Sequence, residues 1–134
     1  MLAKRKKHTS KLPRARFFSV AVVVSDRRKS VEWYTKNLGL DIVQDLGHWV
    51  TVGRKDGSGL LHLCQTSEIG LDERPEPGLT GIELNVPGDF RAACAALEAN
   101  GVKFRKGPTK ETWGWWAGVL DPDGDELTLM PEGQ

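Results

Sequence analysis

Residues 20–40 read VAVVVSDRRKSVEWYTKNLGL, and the order of residue types there decides how the rest of the chain is read. From Phe17 to Val24 the chain is apolar and β-branched, which predicts a strand. Ser25 and Asp26 follow, with short side-chain oxygens suited to accept the free amide hydrogens at a helix start. Val31, Tyr34 and Leu38 then recur at helical spacing, and Gly39 closes the helix. The next apolar segments are residues 40–43, Trp49 to Val52 and Leu60 to Cys64, with a turn around Asp56-Gly57 between the last two. The predicted order is strand, helix, then three strands.

The same order returns further along. Gly81 to Val86 reads as the strand that opens the second half. Pro87-Gly88-Asp89 opens a helix carrying Phe90, Ala93, Ala96 and Leu97, and Asn100-Gly101 stops it. Strands follow at Val102 to Phe104, Trp115 to Leu120 and Glu126 to Met130, the last two joined by Asp121-Pro122-Asp123-Gly124. Val24 and Gly39 pair with Val86 and Gly101 at an offset of 62, the two Asp-Gly turns at 67, and Leu61-His62-Leu63 with Leu127-Thr128-Leu129 at 66. Such self-similarity signals two copies of one supersecondary unit. The predicted fold class is α+β: two tandem βαβββ modules forming a curved mixed sheet, a cup, with helices on its outer face. The predicted boundaries are a tail at 1–16 and one domain at 17–131. That domain divides into module one at 17–66, a Pro- and Gly-containing linker at 67–79 and module two at 80–131.

Strand side chains alternate between faces. Val20, Val22 and Val24 match Ile82, Leu84 and Val86; Leu61 and Leu63 match Leu127 and Leu129; Val50 and Val52 match Ala117 and Val119. These aliphatic rows are the predicted core. The opposite rows are mixed: Ser19, Ala21 and Val23 against Gly81, Glu83 and Asn85; His62 and Cys64 against Thr128 and Met130; Trp49 against Trp116. Joined, they form a concave surface with aromatics and a few polar groups, the kind that holds a small molecule.

With 134 residues, 39% hydrophobic and 28% charged, the chain suits one ordinary domain. No apolar run approaches the ~20 residues of a membrane-crossing helix, so no membrane partner is expected. A net charge of +1 conceals an asymmetry: residues 1–16 hold seven Lys and Arg and no acid. Removing those seven from 19 leaves 12 basic residues against 18 acidic. The remainder is acidic and repels phosphate backbones, which argues against a nucleic-acid partner. The basic tail lacks hydrophobic periodicity and is expected to be disordered. Phe17 to Val24 is too short for a secretory signal and has no small-residue cleavage site. Cys64 and Cys94 form neither a disulfide framework nor a zinc ribbon and read as small core residues of a cytoplasmic protein.

Val20 to Asp26 leading into Ser30 to Leu40, with Trp113-Gly114-Trp115-Trp116 leading into Asp121-Pro122-Asp123-Gly124-Asp125, resembles the vicinal oxygen chelate superfamily. That superfamily is the group of glyoxalase I, bleomycin-resistance proteins and extradiol dioxygenases. The likeness covers about residues 17–131 and is nearest to the non-metal, bleomycin-resistance-like members. It implies a homodimer, and it implies the fold more firmly than any reaction, because one fold hosts many functions. In metal-using relatives four ligands come from equivalent strand positions, which the resemblance carries over to Ser19, His62, Gly81 and Thr128. The internal repeat pairs the same four, Ser19 with Gly81 and His62 with Thr128. Only His62 is a usual ligand: hydroxyls hold divalent transition metals poorly, and glycine offers no side chain. No cofactor is therefore expected. The alternative, one divalent metal ion, would use His62, Glu83 and Glu126, with each glutamate two residues from the family position.

The candidate ligand-binding residues are Trp49, Trp116, His62, Glu83, Asn85, Ser19, Thr128 and Trp113. Trp49 and Trp116 occupy equivalent positions, where two indoles suit a flat or cationic ligand. Trp113 sits where the chain enters the following strand and is read as a gate. Glu83, between Ile82 and Leu84 in what reads as a central strand, is expected to be partly desolvated and fit for general-base work, with His62 as its catalytic companion. Cys64 lies beside His62 but has no evident activating group. The leading expectation is a non-enzymatic binding protein that takes a planar or cationic small molecule in the cup without a catalytic metal. The alternative is a divalent-metal-dependent lyase, isomerase or dioxygenase acting through His62, Glu83 and Glu126. Metal-free acid–base catalysis by Glu83 and His62 is a third reading.

Overall fold

The computed structural model describes residues 12–66 and 72–134. Most of the expected basic tail and the first part of the expected linker lie outside the described residues. Residues 12–16 are exposed and carry no helix or strand. The elements are β1 (Val20–Val23), α1 (Arg27–Leu38), β2 (Asp41–Asp45), β3 (Val50–Gly53) and β4 (Leu61–Cys64), then β5 (Leu79–Val86), α2 (Phe90–Ala99), β6 (Lys103–Glu111), β7 (Gly114–Leu120) and β8 (Glu126–Pro131). Strand, helix and three strands occur twice, as the repeat in the sequence requires. Among the described residues no helix is long and apolar enough to cross a membrane.

The helix ends follow from single residues. Asp26 accepts the Lys29 amide at 3.2 Å, and Asp89 accepts the Ala92 amide at 3.0 Å, each satisfying a donor that the helix itself leaves free. Gly39 stops α1 at φ +66°, a left-handed conformation that costs a residue with a Cβ roughly 1–2 kcal/mol.

The strands form two mixed four-stranded sheets, ordered β1-β4-β3-β2 and β5-β8-β7-β6. In each, the first strand of the module runs parallel to the last, and the remaining pairs are antiparallel. Val22 stands opposite Leu63 in one sheet and Leu84 opposite Leu129 in the other, so the internal repeat holds in register. β1 and β5 are both edge strands. They flank one narrow cleft of about 250 Å³ instead of pairing, so the expected curved surface is built from two abutting sheets.

The predicted aliphatic rows form the core. Val22, Val24, Val50, Val52, Leu61 and Leu63 are buried in module one, and Ala117, Val119, Leu127 and Leu129 in module two. Burying each Val or Leu contributes about 1.5–3 kcal/mol. Val20, Ile82, Leu84 and Val86 pack half-buried against this core. β6 runs far beyond the short strand expected at its start. The ladder passes Gly107 and Pro108 through register shifts between Phe104 and Thr109, after which Thr109 and Lys110 pair with Trp116 and Trp115.

The β7–β8 turn ties the modules together. The fully buried Tyr34 of α1 donates its hydroxyl hydrogen to Asp121 at 2.7 Å, and Asp121 also accepts the amides of Asp123 and Asp125, each at 2.9 Å. Asp123 accepts the amide of Ser25 at 3.1 Å and its hydroxyl. Asp125 accepts Arg74 at 2.8 Å and the Gly78 amide at 3.1 Å. Carboxylates that read in sequence as a plain Asp-Gly turn thus dock module two onto α1 and the linker.

Candidate functional site

Alternation places Glu126, Thr128, Trp116 and Gly118 on the non-core face of module two. Glu126 is only 6% exposed, although it is a carboxylate. It accepts the Arg105 Nε–H, and the Arg105 guanidinium lies 5.8 Å from the centre of the Trp116 ring. The Trp116 indole N–H in turn donates to Glu111 at 3.0 Å. Glu126 fits because residue 118 is glycine: a Cβ there would overlap the Glu126 carboxylate. Thr128 is half-buried and stands in register between Glu83 and Gly118. Glu111, Arg105, Trp116 and Glu126 form a chain of alternating charge around one half-exposed indole. Sequence alone does not single out Arg105 and Glu111, because the expected strand ends at Phe104 and the observed one continues to Glu111. Continued alternation places Arg105 on the face away from the apolar Phe104.

Module one carries a smaller counterpart. The Trp49 indole stacks on the His62 imidazole, with centroids 3.6 Å apart and planes 14° from parallel. Thr51 stands opposite His62 in register and is buried. His62 is 3% exposed, and burial, with the Arg27 guanidinium as the lesser cause, pushes its pKa below the ordinary imidazole value. The ring is therefore neutral at physiological pH. Burial pushes the Cys64 thiol up, which keeps it protonated and poorly nucleophilic.

Each indole thus lies against a group of its own module, Trp49 on His62 and Trp116 beneath Arg105. Trp113 is 58% exposed in the β6–β7 turn, and Ser19 is half-buried immediately before β1. Glu83 corrects an expectation. It is exposed rather than partly desolvated, because β5 is the edge of its sheet and not a central strand.

A larger cleft, of about 970 Å³, lies at the module boundary between the end of α1, the β3–β4 turn, β5 and α2. Of the predicted site residues, Glu83 and Asn85 line it; Trp49, His62, Trp116, Thr128, Ser19 and Trp113 do not. Its walls are apolar at Leu84, Val86, Leu97 and Leu129 and charged at Lys36, Arg54, Glu83 and Glu132.

The donors do not suit the metal that the alternative reading needs. Among the described residues no group of three or more His, Cys, Asp or Glu side chains is placed to hold a metal ion. Of the proposed trio, His62 lies under Trp49 in one sheet, Glu126 is paired with Arg105 in the other, and Glu83 stands on an exposed edge.

Comparison with known proteins bears on this geometry. The family model described as the Glyoxalase/Bleomycin resistance protein/Dioxygenase superfamily matches residues 16–129. A structure of a member of that superfamily from Sphaerobacter thermophilus DSM 20745 superposes with a TM-score of 0.72 at 29% identity, covering 88% of this chain and 98% of that one. TnmS3, described as an antibiotic binding protein from Streptomyces sp. CB03234, superposes with a TM-score of 0.70 at 28% identity, covering 90% of this chain and 98% of that one. The uncharacterized protein YetH of Bacillus subtilis strain 168 is 25% identical over 116 residues, 83% of this chain and 93% of YetH.

Proposed function

The chain belongs to the glyoxalase/bleomycin resistance protein/dioxygenase superfamily, and from that premise we propose that it binds a planar, cationic small molecule on its non-core sheet faces, without a catalytic metal. One observation carries the reading: each face presents a half-exposed indole beside polar groups, Trp49 on His62 and Trp116 among Arg105, Glu111 and Glu126. A flat cation can stack on an indole, which is worth about 0.5–2 kcal/mol per contact. Glu111 and the exposed Glu83 supply negative charge nearby. The likeness to TnmS3 supports small-molecule binding as the activity. A homodimer belongs to the same proposal, supported by the exposed Ile42, Val43 and Leu46 on and beside the edge strand β2.

The test is a titration of tryptophan fluorescence with proflavine, a planar cation, backed by calorimetry. Saturable quenching that weakens in both Trp49→Phe and Trp116→Phe is expected. A proflavine isotherm that neither substitution changes, or no quenching at all, would overturn the reading. Light scattering on the eluted protein reads the dimer, and a monomer mass at tens of micromolar would remove that part.

A further inference from the structure

The modules differ where each helix faces the hairpin turn of the other module, and a cleft lies there. On α1, the Tyr34 phenol fills the space up to the β7–β8 turn and donates to Asp121. The two hairpin turns are built alike: the Gly124 amide donates to the Asp121 carbonyl at 2.9 Å, and the Gly57 amide to the Arg54 carbonyl at 2.9 Å. Arg54 therefore stands in the β3–β4 turn where Asp121 stands in the β7–β8 turn. On α2 the counterpart of Tyr34 is Ala96, counting back from Gly101, or Leu97, counting forward from the capping Asp89. Neither side chain carries a ring or a hydrogen-bond donor. The position filled on one side of the molecule is open on the other, and the 970 Å³ cleft is lined by Ala93, Ala96, Leu97, Arg54 and Ser58.

We propose that this cleft binds a planar aromatic anion, with its ring beside α2 where Tyr34 would stand and its negative group on Arg54 and Lys36. Charge is reversed across the repeat. Asp121 accepts a hydrogen from a phenol, whereas Arg54 can only donate, so its complement is an acceptor. Among the described residues neither Arg54 nor Lys36 is in a salt bridge. Asp56, the acid of the same turn, takes its hydrogen bonds from the Ser58 amide at 2.9 Å and hydroxyl at 2.7 Å; these lower its pKa first, and the Arg54 charge acts on it only as a lesser cause, without a salt bridge. Glu83 and Glu132 belong to module two, so the negative group is directed to the module-one wall, while Leu84, Val86 and Leu129 supply apolar surface for the ring. The volume lies within the roughly 300–1,000 Å³ of ordinary ligand clefts. This site differs from the indole faces in position and in the charge of its ligand.

The experiment compares 2-naphthoate with its neutral twin 2-naphthamide by calorimetry on the full chain. Naphthoate should bind with one ligand per chain, at least ten-fold more tightly than the amide. Arg54→Gln, on an exposed turn, should cost naphthoate at least ten-fold and leave the amide unchanged. Ala96→Phe, which fills the opening, should abolish binding of both. Trp49→Phe and Trp116→Phe should leave naphthoate binding intact, which separates this site from the indole faces whether or not proflavine binds there. Equal affinity for acid and amide, an unchanged Arg54→Gln, loss of naphthoate in the tryptophan variants, or no binding would each overturn the proposal. Affinity that falls as protein concentration rises would assign the cleft to a second copy of the chain and overturn it as well.

Discussion

Replacing Tyr34 with Phe removes one oxygen from the joint between the modules and leaves the ring in place. The lost bond, 2.7 Å long, runs to the carboxylate of Asp121, which is 5% exposed. Net hydrogen bonds to charged groups are worth about 1.5–3 kcal/mol. Water cannot readily replace the hydroxyl in so buried a place, so the upper half of that range applies more than the lower. At about 2.1 cal/mol/K of unfolding entropy per residue, a chain of 134 residues loses about 5–11 °C of Tm. The effect depends on pH in a specified direction. Burial raises the Asp121 pKa above the ordinary carboxylate value, and the Tyr34 bond partly offsets that rise. A carboxyl whose folded pKa is raised loses stabilising effect as pH climbs from the ordinary value through the raised one. Without the phenol, the folded pKa rises further and the loss is larger. The gap between wild type and Tyr34→Phe should therefore be smallest where Asp121 is protonated and grow to its full size once it ionises. Urea unfolding of both proteins from pH 3.5 to 8 measures this. A gap below about 0.5 kcal/mol at pH 8, or one independent of pH, would refute the reasoning.

Tyr34 is the single tyrosine of the chain, and burial, then Asp121, holds its pKa above the ordinary value near 10. Absorbance at 295 nm should show no tyrosinate in the folded protein. Above pH 10 stability should fall by up to about 1.4 kcal/mol per pH unit, as only the unfolded phenol ionises. An early, fully reversible tyrosinate signal with the fold intact would contradict the burial argument. Gly118→Ala should cost about 1–3 kcal/mol, since the new Cβ displaces the Glu126 carboxylate from Arg105. Adding Glu126→Ala should recover part of that cost, and strict additivity in the double variant would argue against the contact. Gly39→Ala meets no neighbouring atom, so its cost is backbone strain alone, roughly 1–2 kcal/mol by denaturant titration. No measurable cost would mean that α1 ends differently in solution.

Much of the architecture was legible in the sequence because it rests on local rules. Period-two and period-3.6 patterns mark the elements, Asp26 and Gly39 bound α1, and the offsets between Val22 and Leu84 and between Leu63 and Leu129 carry through to the observed strand pairs. The misreadings are equally local. The expected strand at Val102 to Phe104 stops short of the observed Glu111 because nothing nearby shows that Trp115 and Trp116 wait on the facing strand. Glu83 reads as desolvated because its apolar neighbours do not reveal that β5 is an edge.

Sequence alone therefore determined the two βαβββ modules and which side chains share a face, since covalent spacing settles both. Tertiary structure alone decided what those faces meet: Trp49 upon His62, Arg105 between Trp116 and Glu126, Tyr34 against Asp121 across 87 residues. It also decided that the place by α2 answering to that of Tyr34 stays open beside Arg54. Such pairings join residues whose separation along the chain carries no periodic signal, and they are set by how two finished modules dock.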